Sequence, residues 1–69
     1  MASYESKVAT RLRNLREKAD LNKDEAAERC NRTRKTIYNW EAGIAVPKLL
    51  ELPVIAQAYG VKTREVIPE

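Results

Sequence analysis

The chain has 69 residues and a mass of 7.9 kDa, room for one small domain that buries roughly 60% of its unfolded surface. Hydrophobic residues make up 43%, which argues against wholesale disorder, and 13 Lys+Arg against 10 Asp+Glu give +3. With no His and a single Cys, Cys30, the Ser-His and Cys-His nucleophile pairs, an internal disulfide and clustered metal ligands are all excluded. The expected product is a soluble, cytoplasmic domain without cofactor, metal or catalytic residues. No apolar run approaches the roughly 18 residues of a membrane span, and the N-terminus does not read as a signal peptide.

The elements follow in chain order, and helical spacing dominates. Tyr4, Val8, Leu12, Leu15 and Ala19 form one apolar stripe, which predicts a helix over 5–19 with Ser3 or Ser6 as its cap. A second helix begins at Asn22, an N-cap with Glu25 three residues on as in a capping box. Ala26, Ala27 and Cys30 give it a narrow apolar face of small residues. It stops near Asn31, a residue that tolerates the left-handed conformation.

A third helix begins at the N-cap Thr33 and runs to about 42, before Gly43. Ile37 and Trp40 face inward, so Arg34, Lys35, Tyr38 and Asn39 share the opposite face, with no acid among them. After a loop over 43–48, a fourth helix starts at 49–51, since Pro53 is tolerated only in a first turn. It ends at Gly60 with Leu52, Ile55, Ala56 and Tyr59 inward. A short fifth helix over 62–67, with Val61, Val66 and Ile67 in the core, stops at Pro68.

Charge is uneven. Residues 1–35 hold ten Lys/Arg and six Asp/Glu, residues 36–69 three and four, and the densest basic stretch is Arg29, Arg32, Arg34 and Lys35. Charge alone reads more readily as a solvated helix face than as a phosphate-binding footprint. The spacing of two short helices joined by about three residues favours the footprint. It is that of a helix-turn-helix, whose second helix enters the major groove and reads base edges with long hydrogen-bonding side chains.

In five segments the chain resembles the phage-repressor/Cro-like (Xre-type, lambda-repressor-like) helix-turn-helix domains. These are Leu12-Arg13-Asn14-Leu15-Arg16; Leu21 through Ala27; Thr33 through Ile37; Trp40-Glu41-Ala42-Gly43 with Pro47; and Ile55-Ala56 with Tyr59-Gly60-Val61. The resemblance covers about residues 8–67. It implies an all-α, compact five-helix domain over 1–69 that binds operator DNA, usually as a dimer on an inverted repeat. The family's backbone-contacting positions fall on Asn22, Lys23, Ala45 and Lys48, and its base-reading positions on Arg34, Lys35, Thr36 and Asn39. An ion pair between the first and third helices falls on Arg16 and Glu41. Tyr38 reads as a groove contact or a half-exposed ring.

Three departures stand out. Ala26 replaces a common Leu. Asn31 and Arg32 replace a Gly and an apolar residue in the turn, which makes Arg32, beside Thr33, a candidate phosphate contact. Arg34 and Lys35 replace Gln or Ser, which leaves open which of them reads a base.

The function expected is a sequence-specific transcription regulator, acting as a repressor by occlusion or as a polymerase-contacting factor. The alternative is an antitoxin or adaptor that holds a protein partner and binds DNA for autoregulation. A complete Cro-sized protein and the DNA-binding piece of a longer repressor both fit the ending Val66-Ile67-Pro68-Glu69. Pairing on a palindromic site is expected through Val46, Lys62, Val66 and Ile67, as a homodimer weak in free solution.

Overall fold

The computed structural model describes residues 3–68 and contains five α-helices and no strand among them. These are α1 (Tyr4–Lys18), α2 (Lys23–Cys30), α3 (Arg34–Glu41), α4 (Leu52–Tyr59) and α5 (Thr63–Val66), with a 3-10 turn, Leu49–Glu51, leading into α4. The capping chemistry sets the boundaries. Ser3 accepts from the Ser6 amide at 3.1 Å and starts α1. Asn22 and Glu25 bond reciprocally at 2.8 and 2.9 Å, a complete capping box for α2. Thr33 Oγ1 accepts from the Thr36 amide at 3.2 Å and starts α3.

The connections between helices use left-handed residues. Asn31, at φ 55°, ends α2, and the Arg32 amide donates to the Ala27 carbonyl at 2.8 Å. Gly60, at φ 70°, ends α4 in the same way, with Val61 donating to Ala56. Asp20, at φ 61°, turns the chain between α1 and α2, a left-handed position with no glycine to announce it.

The core gathers Val8, Leu12, Leu21, Ala26, Ala27, Cys30, Ile37, Trp40, Ile55, Ala56, Ala58, Tyr59 and Val66, drawing on every α-helix. Ala26 and Ala27 are both buried, so the α2 backbone approaches α3 and α4 closely. α1 packs on α3 and α5, and Arg11 Nη1 donates to the Glu65 carbonyl at 3.0 Å, a tie between α1 and α5.

Four sequence expectations need correction. Tyr4 lies at the exposed start of α1 and is not on its buried stripe. The segment expected to open the fourth helix is a 3-10 turn, with Pro53 in the first α-turn after it. Ile67, expected in the core, is exposed. Val66, expected at a dimer surface, is 1% exposed and fills the core, so it is not available to a partner.

Candidate nucleic-acid interface

α3 is held from behind. Ile37 and Trp40 are buried, and Glu41 takes a two-pronged bond from Arg16: Nε to Oε2 at 2.7 Å and Nη2 to Oε1 at 2.9 Å. Arg16 Nη1 donates to the Leu21 carbonyl at 2.8 Å, so one guanidinium joins α1, α3 and the entry to α2. The Glu41 hydrogen bond raises the Arg16 pKa, against the opposing effect of burial. The guanidinium therefore stays charged at any pH the fold survives.

With its inward side fixed this way, α3 offers Arg34, Lys35 and Tyr38 to solvent, and Thr36 and Asn39 are half-buried. Arg34, Lys35 and Tyr38 line one shallow recess of about 480 Å³ together with Lys23 from the first turn of α2. Lys23 and Tyr38 also border a second recess with Arg13, Glu41 and Ala42. Arg13 is not on the apolar stripe of α1. Its nearness to Tyr38 depends on how α1 crosses α3.

The other expected contacts are placed less uniformly. Thr33 and Thr36 face each other through their hydroxyls at 3.0 Å, and Asn22 Oδ1 is committed to its cap. Ala45 is exposed, and its amide donates to the Asn39 carbonyl at 3.2 Å, which ties the loop to the end of α3. Lys48 is exposed at the start of the 3-10 turn. Arg32 turns toward the protein: its Nη2 lies 3.8 Å from Glu51 and its Nη1 bonds the Asn31 carbonyl at 2.9 Å.

Two features went unread in the sequence. An acid does reach the α3 face: Asp24 of α2 stands 3.4 Å from Arg34. And the segment after α3 carries bare apolar side chains: Ile44 and Val46 in the loop, Leu49 and Leu50 in the 3-10 turn at 78% and 86%, and Val54 on α4.

Two helices, α2 and α3, packed together through a tight left-handed turn, with the second presenting polar residues outward, are the helix-turn-helix arrangement. Consistent with that geometry, residues 7–69 match the family model described as a helix-turn-helix domain. The chain belongs to the helix-turn-helix domain family. No curated protein matches it. Membership makes it a domain of the DNA-binding regulator type, as the Cro-like resemblance implied. No described helix is long and apolar enough to cross a membrane.

Proposed function

We propose that this helix-turn-helix chain is a cytoplasmic, sequence-specific regulator of transcription that seats α3 in the major groove of an operator and represses by occlusion. The observation that carries this reading is the shared recess of Lys23, Arg34, Lys35 and Tyr38 on a rigidly backed helix. Three cations and a phenol converge there from the two helices of the motif. Long donors are what base edges and phosphates require. Lys48 extends the phosphate-facing surface, whereas the Ala45 amide is already bonded to the Asn39 carbonyl. Nothing in this mechanism calls for catalysis or a cofactor. Binding is proposed on a palindromic site by two copies that associate weakly in solution. Val46 and the neighbouring apolar loop residues replace the buried Val66 as the pairing surface, with Ile67 and Lys62 at its edge.

Selection of bound duplexes from a random pool tests this reading. Enrichment of a defined motif, lost with Arg34→Ala plus Lys35→Ala, is the expected result. Failure to enrich any sequence at low salt overturns the reading.

A second reading draws on the exposed Leu49 and Leu50. Adjacent leucines so bare on a small domain are a docking feature, and an antitoxin or adaptor that holds a protein partner would use them. Stable co-purification of a second polypeptide, lost with Leu50→Asp, would favour that role over self-pairing.

A further inference from the structure

Asp24 is an odd residue to find beside a DNA-reading face. Its Oδ1 stands 3.4 Å from Nε of Arg34, and the two side chains are 75% and 67% exposed. An ion pair so open to water contributes little to folding. Its place in the first turn of α2 suits the helix dipole, but it takes no part in the capping box, which Asn22 and Glu25 close between themselves. A carboxylate at this place also opposes binding, since it faces the densely charged backbone of a duplex.

The geometry of the contact suggests what it does. A guanidinium has five N–H donors in a rigid fork. Asp24 approaches through Nε, which leaves the terminal edge, Nη1 and Nη2, unengaged. That edge matches O6 and N7 of guanine, the commonest specific contact of arginine in the major groove. The carboxylate makes no hydrogen bond to Arg34, but its charge beside Nε favours the rotamers that keep Nε toward it and repels the phosphates the arginine could otherwise reach. Among the described residues Lys35 has no ion-pair partner, so it keeps the freedom suited to a phosphate.

Resting on the reading of the domain as a DNA-binding regulator, we infer that Asp24 is a specificity-determining positioning residue. It draws the Nε side of Arg34 toward itself so that the terminal edge of the arginine reads one guanine of the operator, and Lys35 serves the backbone. The juxtaposition of Asp24 and Arg34 thus trades general affinity for discrimination.

The test measures binding of the wild type, Asp24→Asn, Arg34→Ala and the double variant. Each is titrated against the selected operator, its single-base variants and a random duplex. Arg34→Ala should reduce preference for guanine at one position by about tenfold or more. Asp24→Asn should reduce preference at that same position several-fold, while tightening binding to random duplex. The double variant should lose no more preference than Arg34→Ala alone, because the two act as a unit. Asp24→Asn that tightens all sequences equally and keeps the guanine preference would overturn the inference. So would a change confined to a different position, which would mark Asp24 as a direct reader of cytosine. A wild-type chain that enriches no sequence would instead overturn the regulator reading on which the inference rests.

Discussion

Arg16 and Glu41 are joined side to side, by two hydrogen bonds of 2.7 and 2.9 Å, in a site where their side chains are only 10% and 5% exposed. The pair spans 25 residues of sequence and fixes the C-terminal end of α3 against α1. Its third bond, to the Leu21 carbonyl, satisfies a backbone group that no helix serves.

Removing one member of this pair strands the other charge where water barely reaches. Arg16→Ala should destabilise the fold by about 3–5 kcal/mol. Arg13→Ala, at an exposed position of the same helix, should cost under about 0.5 kcal/mol. Removing both charges with apolar residues, Arg16→Met plus Glu41→Leu, should recover much of the loss. Urea midpoints of the three variants check the ordering. Equal midpoints for Arg16→Ala and Arg13→Ala would contradict it.

Alkaline pH should unfold the domain through Cys30 and Tyr59. Burial pushes both groups above their ordinary values of 9.0 and 10.0. Each therefore stays neutral in the fold while the unfolded chain gives up its proton. The stability they support is complete below pH 9 and falls as pH rises past each ordinary value, by about 1.4 kcal/mol per pH unit per group. Melting at pH 7 to 11 should show a plateau and then a decline, and Cys30→Ala should delay its onset by about one pH unit. A stability that rises above pH 9 would have the wrong sign.

DNA affinity should depend steeply on salt. With about six phosphate contacts per pair of domains, it should fall roughly a thousandfold between about 50 and 200 mM. Lys23→Ala and Lys48→Ala should each lower the log–log slope by about 1 and leave base preference unchanged. A flat response would remove the backbone from the binding account.

At Asn31, φ 55° strains any residue with an ordinary Cβ. Asn31→Ala should lose about 1–2 kcal/mol, and Asn31→Gly should be neutral or slightly stabilising. Thermal melts of the two variants separate this conformational effect from loss of a side-chain contact.

The free protein should sediment as a monomer at micromolar concentration and bind cooperatively to two half-sites about 34 Å apart. Leu50→Asp or Val46→Asp should abolish the cooperativity without unfolding the chain, since both positions are exposed. A tight free dimer would refute the weak-association part, and equal affinity for one half-site would refute the cooperative part.

Much of this architecture is legible in the sequence, because caps and inward spacings are local. Asn22 with Glu25, Thr33, and Gly60 mark helix ends within a few residues of themselves. Ile37 and Trp40 orient α3, which assigns Arg34, Lys35 and Tyr38 to the outside. The Arg16–Glu41 pair was reachable only through the family resemblance, because its partners lie 25 residues apart. Asp24 beside Arg34 and Arg32 beside Glu51 depend on how α2 meets its neighbours, which no periodicity encodes. Leu49 and Leu50 read only as the start of the fourth helix, outside its inward spacing. They form a 3-10 turn and lie exposed to solvent. α5 has four residues, too few for a repeat to say that Val66 and not Ile67 points inward.

α3 divides its labour cleanly between side chains. Ile37 and Trp40 hold the domain together, and Arg34, Lys35 and Tyr38 are exposed and outside the hydrophobic core. Substitutions at the outer three positions should leave folding within about 0.5 kcal/mol. If these positions contact DNA as proposed, a lineage carrying this scaffold would change its DNA preference one mutation at a time without passing through unfolded intermediates. New recognition would be gained by drift on the outer face, and the inner face would stay under constraint.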